Sequence, residues 1–225
     1  MAETPYQVTE RRPIGSRNWA ASKGAAKWLA QRGASPNAIS VAGMVCGMLG
    51  GVALASTACP YAWERVGWLA GAAMIQARLL ANMLDGMVAV ESGTASAVGE
   101  LYNEVPDRVS DTAILLGAGY ALHGSVTLGW AAACAALFTA YVRAMGKAAG
   151  APHEFCGPMA KQHRMAIVTV IALFYALAPR SWQVTWGPAP GWSVLSVGLL
   201  VIVTGALVTA VRRLARVAAN LRRRT

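Results

Sequence analysis

Negative charge is scarce in this chain of 225 residues, and aspartate is scarcest: only Asp85, Asp107 and Asp111 occur. Ten acidic residues stand against twenty basic ones, a formal net charge of +10. Charged residues make up only 13% of the chain, where an ordinary soluble domain has about 25%, and 56% is hydrophobic. With a mean hydropathy of +0.42, this composition excludes a soluble globular protein and points to an integral membrane protein of one domain. Cysteine is also sparse. Cys46 and Cys134 lie in apolar runs, Cys59 and Cys156 fall in different expected loops, and no C-x-x-C occurs. Neither a zinc site nor a disulfide framework is therefore supported. The opening M-A-E-T-P-Y-Q-V-T-E-R-R has no apolar core, so no cleavable signal is expected.

What is abundant is apolar sequence with basic flanks. Arg11, Arg12, Arg17, Lys23, Lys27 and Arg32 precede the first long apolar run, and Arg212, Arg213, Arg216, Arg222, Arg223 and Arg224 follow the last. Such flanks mark the cytoplasmic side and favour anionic headgroups; nucleic acid is not the expected partner. Residues 15–34 read as an interfacial amphipathic helix, with Trp19 and Trp28 at the headgroups and Lys23 and Lys27 in water. Apolar runs follow at 36–57, 66–90, 98–122, 126–145, 164–179 and 190–211. A span needs about 20 residues. The expectation is an all-α integral membrane fold: an N-terminal segment with the interfacial helix over 1–35, six transmembrane helices over 36–212, and a basic tail over 213–225. Both termini are expected in the cytoplasm. The loop at 143–164 holds Arg143, Lys147, Lys161 and Arg164, whereas the loops expected outside hold only Arg65 and Arg180, in line with the positive-inside rule. Trp182, Trp186 and Trp192 read as an aromatic belt. Gly43, Gly47 and Gly51, spaced by four, read as a close-packing seam, internal or between subunits.

All three aspartates lie within residues 82–111. A carboxylate at the centre of a membrane helix costs about 2.5–3.5 kcal/mol, so this cluster requires compensating cations. Asn82 and Asp85 are i, i+3 on the second run. Asn103, Asp107 and Asp111 are i, i+4, i+8 on the third, one face of a helix. The short E-S-G-T-A-S-A between them makes the two helices antiparallel neighbours whose polar faces can meet near the cytoplasmic surface. Oxygen donors of this kind suit Mg²⁺ or Mn²⁺, which commonly bridge phosphates. A polar helix pair bonded internally, or an ion or proton path, would use the same residues.

The segment resembles the signature of the CDP-alcohol phosphotransferase family, D-x2-D-G-x2-A-R-x8-G-x3-D-x3-D. Its positions fall on Asn82, Asp85, Gly86, Ala89, Val90, Gly99, Asn103 and Asp107, with every gap length matching. The resemblance implies an enzyme of phospholipid synthesis that joins CDP-diacylglycerol to an alcohol acceptor, or a CDP-alcohol to diacylglycerol, and releases CMP. It implies two Mg²⁺ or Mn²⁺ ions, with Asp85 as a ligand and Asp107 as ligand and general base. Gly86, Ala89 and Gly99 would line the cytidine diphosphate pocket. S-P-N-A-I-S at 35–40 resembles the family's P-N-x-x-[ST] element, which would bring Asn37 and Ser40 to the nucleotide.

Three positions depart from the signature. Asn82 and Asn103 replace aspartates and Val90 replaces the arginine. An asparagine keeps a carbonyl oxygen and loses the charge, so the hold on metal weakens. Asn82, Asn103 and Asp111 join Asp85 and Asp107 as expected metal ligands; Asp111, one turn beyond Asp107, and Glu100 are placed to restore charge, and Glu104 points elsewhere. The pattern N-x-L-D-G-M … N-x-x-x-D-x-x-S-D resembles a bacterial branch of the family with these asparagines. Arg108 or Arg78 would take over the phosphate contact of the missing arginine. In G-P-M-A-K-Q-H-R, residues 157–164, Lys161 and Arg164 are i, i+3 and read either as acceptor or phosphate contacts or as positive-inside anchors. His163, His153 and His123 lack partners at diagnostic spacing. The expected location is the bacterial inner membrane, with a homodimer compatible with the glycine-rich first span. A non-catalytic CDP-lipid-binding or assembly protein of the same fold and a cation or proton transporter are the rival readings.

Overall fold

A computed structural model describes residues 19–59, 63–94, 96–152, 154–187 and 191–223. Arg11, Arg12, Arg17, His153 and Arg224 lie outside the described residues, as does the side chain of Glu100. The described chain forms seven α-helices: α1 (Ala20–Gln31), α2 (Pro36–Ser56), α3 (Glu64–Glu91), α4 (Ala97–Tyr120), α5 (Val126–Ala148), α6 (Lys161–Leu177) and α7 (Val194–Arg222). Among the described residues the only strand-like pairing is a single bridge between Trp186 and Trp192.

Local chemistry sets the helix starts. Pro36 opens α2, where its missing N–H costs nothing. Ser96, Ser125 and Ser193 cap α4, α5 and α7, accepting from the backbone N–H of Gly99, Leu128 and Ser196. Gly93, at φ 65°, takes the left-handed conformation that ends α3 and turns the chain towards α4. α1 is amphipathic as expected: Ala26 is buried, Trp19 and Trp28 are exposed, and Arg32 stacks over the Trp28 ring at 4.2 Å.

Among the described residues four helices are long and apolar enough to cross a membrane, α2, α3, α5 and α7, against the six spans expected. α6 has only 17 residues and α4 carries the polar motif in its first half. α7 runs to Arg222, into the stretch expected as a basic tail. Its extension is anchored by packing: Val217 lies against Gly146, Arg213 donates to the carbonyls of Thr139 and Cys156, and Asn220 donates to Glu154.

The bundle is organised around α2, which packs against both α3 and α4, while α3 and α4 touch each other little. They are antiparallel, as expected, but α2 lies against both, and their polar side chains span the remaining gap. The glycine seam is internal. A Cβ on Gly43 would lie 2.9 Å from Ala81 Cβ, one on Gly47 2.6 Å from Ser110 Cβ, and one on Gly51 2.3 Å from the Ala113 carbonyl oxygen. Glycine is therefore required at position 51, where the obstacle is backbone. The core beyond the polar end is apolar, built from Leu54, Ile75, Ile114, Leu115, Met165, Leu199 and Ile202. Gly51→Ala should destabilise the bundle by about 1–3 kcal/mol through overpacking, read as a lower thermal midpoint in detergent. Gly24→Ala, with nothing within 4 Å of the added carbon, should leave the midpoint unchanged or raise it.

Candidate active site

The polar residues of α2, α3, α4 and α6 converge on one small cleft at one end of the bundle. α2 contributes Ser40, α3 contributes Arg78, Asn82 and Asp85, and α4 contributes Asn103 and Asp107. Lys161, the first residue of α6, reaches the same groups from the side.

Asp85 is buried and held by neutral donors. Ser40 Oγ donates to its Oδ2 at 2.6 Å, and the Gly86 backbone N–H donates to its Oδ1. No cation contacts it among the described residues. Asp107 is held quite differently. Arg78 Nη2 donates to its Oδ1 at 2.9 Å, Lys161 Nζ donates to its Oδ2 at 2.5 Å, and Arg108 stands 3.6 Å from the same oxygen. Lys161 also donates to Asn82 Oδ1 at 2.5 Å, and Asn82 Nδ2 donates to Asn103 Oδ1 at 2.8 Å. The two asparagines thus form a neutral bridge between α3 and α4, where two aspartates would repel each other.

Asp111 is 1% exposed and does not line the cleft. Its Oδ1 accepts from Arg78 at 2.7 Å and its Oδ2 from Arg164 at 2.9 Å. The expectation of Asp111 as a further metal ligand meets an arrangement in which both oxygens already serve guanidinium groups. Arg164, expected to face an acceptor phosphate, is 2% exposed and turned inward to Asp111 and the Met159 carbonyl. The physical reason is depth. Asp111 lies roughly 21 Å along α4 from Ala97, inside the bundle, where a carboxylate needs charged partners. The polar cluster therefore reaches further in than the helix ends to which its spacing assigned it. Arg108 is half-buried between Glu104 and Asp107, and Arg143 pairs with Glu104 from α5.

Of the residues expected at the nucleotide, Ser40 lines the cleft, while Asn37, Gly86, Ala89 and Gly99 do not. The Gly99 N–H is committed to the Ser96 cap. Val90, at the arginine position of the motif, is 57% exposed at the end of α3. Spacing within one helix could not reveal that Lys161 and Arg78 would meet Asp107, since the three come from different helices. His123 lies at the other end of the molecule, stacked 5.0 Å from Tyr175 with φ 64°, and burial holds its pKa below the usual value.

The donor set is oxygen only: two carboxylates and two amides on the cleft wall. Among the described residues no group of three or more Asp, Glu, His or Cys is gathered to hold a metal. One hard divalent ion needs only one or two carboxylates when substrate phosphates complete its shell, and Asp85, Asp107 and Asn103 fit that requirement. Arg78 carries a second signal. Its Nε and Nη1 are buried with no hydrogen-bond partner, and each unmet buried donor costs about 1–3 kcal/mol.

Hard oxygen donors thus stand beside unfilled guanidinium donors at one end of a helical bundle. A family model for CDP-alcohol phosphatidyltransferase matches residues 34–211, and the chain belongs to that family. It is a membrane transferase of phospholipid synthesis that moves substituted phosphate groups. The chain is 25% identical over 173 residues to inner membrane protein YnbA of Escherichia coli (strain K12), spanning 77% of this chain and 82% of that one. Its fold is similar to that of Mycobacterium tuberculosis phosphatidylinositol phosphate synthase (PgsA1). The crystal structure of that protein with manganese and citrate superposes with a TM-score of 0.68 at 24% identity, covering 88% of each chain. The structure with CDP-DAG bound gives 0.67 at 23%, covering 87% of this chain and 92% of that one.

Breaking the buried network should be costly. Asp111→Ala leaves the buried Arg164 without its carboxylate and takes one of two from Arg78, and should lower stability by about 3–5 kcal/mol, measured by thermal unfolding in detergent. Arg180→Ala removes only an exposed pair with Glu64 and should leave the midpoint within error of wild type.

Proposed function

We propose that this protein transfers a phosphatidyl group from CDP-diacylglycerol to an alcohol, releasing CMP. The observation that carries the reading is the meeting of Asp85 and Asp107, at motif positions, with Ser40 and Lys161 in one cleft of a family member. The helices α2 to α7 all cross a bacterial inner membrane, with both termini and the cleft on the cytoplasmic side, where the donor's headgroup is presented. The basic residues before the first span, after the last and in the 143–164 loop support that orientation.

Asp85, Asp107 and Asn103 would hold a divalent cation, Mg²⁺ or Mn²⁺. When bound, that cation neutralises charge on the diphosphate and polarises its phosphorus–oxygen bond. Ser40 and the Gly86 N–H fix the Asp85 carboxylate so that it does not reorganise when the ligand arrives. Asp107 Oδ2 takes the proton of the acceptor hydroxyl. The alcohol oxygen then forms a bond to the phosphorus attached to diacylglycerol, and the bond to the bridging oxygen breaks, with CMP leaving on that electron pair. Lys161 passes from Asp107 Oδ2 to a phosphate oxygen as the hydroxyl approaches, which frees the base and follows the negative charge. The Asn82–Asn103 bridge keeps α3 and α4 at the spacing the donors need without adding charge.

Purified protein given CDP-diacylglycerol, Mn²⁺ and a panel of alcohols should release CMP. Asp107→Ala should lower the rate by about 10²–10⁴-fold, with the thermal midpoint reported alongside. The absence of metal-dependent CMP release with every alcohol, from folded wild-type protein, would sink the reading in favour of a non-catalytic CDP-lipid binder.

A further inference from the structure

The reading above leaves Arg78 without a role, although it is among the largest fully buried side chains. It lies near the middle of α3 and uses only one of its three nitrogens. Nη2 donates to the Asp107 carbonyl at 3.2 Å, to Asp107 Oδ1 at 2.9 Å and to Asp111 Oδ1 at 2.7 Å, while Nε and Nη1 have no partner. Leaving Arg78 aside, the remaining charges still pair one to one: Lys161 with Asp107, and Arg164 with Asp111. Arg108, 3.6 Å from Asp107, pairs as well with Glu104, so cations outnumber carboxylates around Asp107 and Asp111, and Arg78 is the buried cation in surplus.

The surplus lies on the cleft wall. Asp85 shares that cleft, but a divalent ion on Asp85 would bring more positive charge than Asp85 offsets. A buried site with excess positive charge and unfilled guanidinium donors is built for an oxyanion, since the planar fork of arginine matches two phosphate oxygens at once. The exposed Val90, meanwhile, leaves the cleft without the arginine that the signature places at that position. We propose that Arg78 is the diphosphate-binding cation of this chain, and that Asp111 and Arg164 are positioning residues that hold its guanidinium in place. The inference rests on the transferase reading and assigns its phosphate contact.

The test compares binding of CDP and of cytidine, which lacks the phosphates, to purified wild-type and Arg78→Gln protein, in EDTA and again with Mn²⁺. Arg78→Gln preserves both remaining ion pairs. The expected result is a loss of CDP affinity of about ten- to a hundredfold in both conditions, with cytidine binding unchanged. Unchanged CDP affinity, or an equal loss for both ligands, overturns the proposal. If Arg78→Gln does not fold, Arg78→Lys keeps the charge and removes the fork; it should weaken CDP and not cytidine, and wild-type CDP affinity there overturns the contact. Asp111→Asn should reproduce the selective loss and Asp111→Glu should recover part of it, a rescue that a purely structural role would not confine to the phosphate-bearing ligand. Wild-type protein that binds neither CDP nor CDP-diacylglycerol overturns the transferase reading and this inference with it. Wild-type binding that is indifferent to Arg78 overturns this inference alone.

Discussion

The rest of the site depends on how two buried carboxylates, Asp107 and Asp111, are kept ionised inside an apolar bundle. Neither could persist there alone, because the cost of stripping water from an ion exceeds what apolar packing returns. Arg78 from α3 and Lys161 and Arg164 from α6 supply the countercharge. Three helices are thereby cross-linked by charge at the end of the molecule where the chemistry is placed, while the other end is closed by apolar and aromatic packing, Trp68 stacking on Tyr175 at 4.9 Å.

The same constraint gives the asparagines a meaning. With aspartates at 82 and 103, four carboxylates would face the cleft and rely on metal for compensation. With asparagines, the cleft wall carries two, Asp85 and Asp107, and the bridge between Asn82 and Asn103 is a neutral hydrogen bond that links α3 and α4. Charge moves from the metal-binding side to the protein's own cations. The two carboxylates then differ: Asp85 is held by Ser40 and a backbone N–H, whereas Asp107 shares its charge with Arg78 and Lys161.

Packing makes room for this. The small residues of α2 allow it to lie close to α3 and α4 at once, which keeps those two helices from closing on each other. Side chains, and not backbone contact, span the space between them, and the cleft is the part of that space lined by Ser40, Asn82, Asp85, Asn103 and Asp107. The glycine seam and the active-site cleft are therefore two consequences of one helix arrangement.

Much of this was readable in the chain alone. Helical periodicity and long apolar runs determined the all-helical architecture and placed α2 to α6 within a few residues, because both are local properties. Motif spacing put Asp85 and Asp107 at the centre, because a fixed number of residues along a helix fixes which side chains share a face. The end of α7 was not readable: Val217 and Arg213 continue the helix only because they find partners on α5 and in the loop before α6. Nor were the roles of Arg78, Asp111 and Arg164. Arginine and aspartate on separate helices carry no mark of which will pair, and the pairing is decided by where the helices cross and how deep each charge is buried. The sequence determined which chemistry was available; the tertiary structure decided that Asp111 holds arginines and that Lys161 faces Asp107.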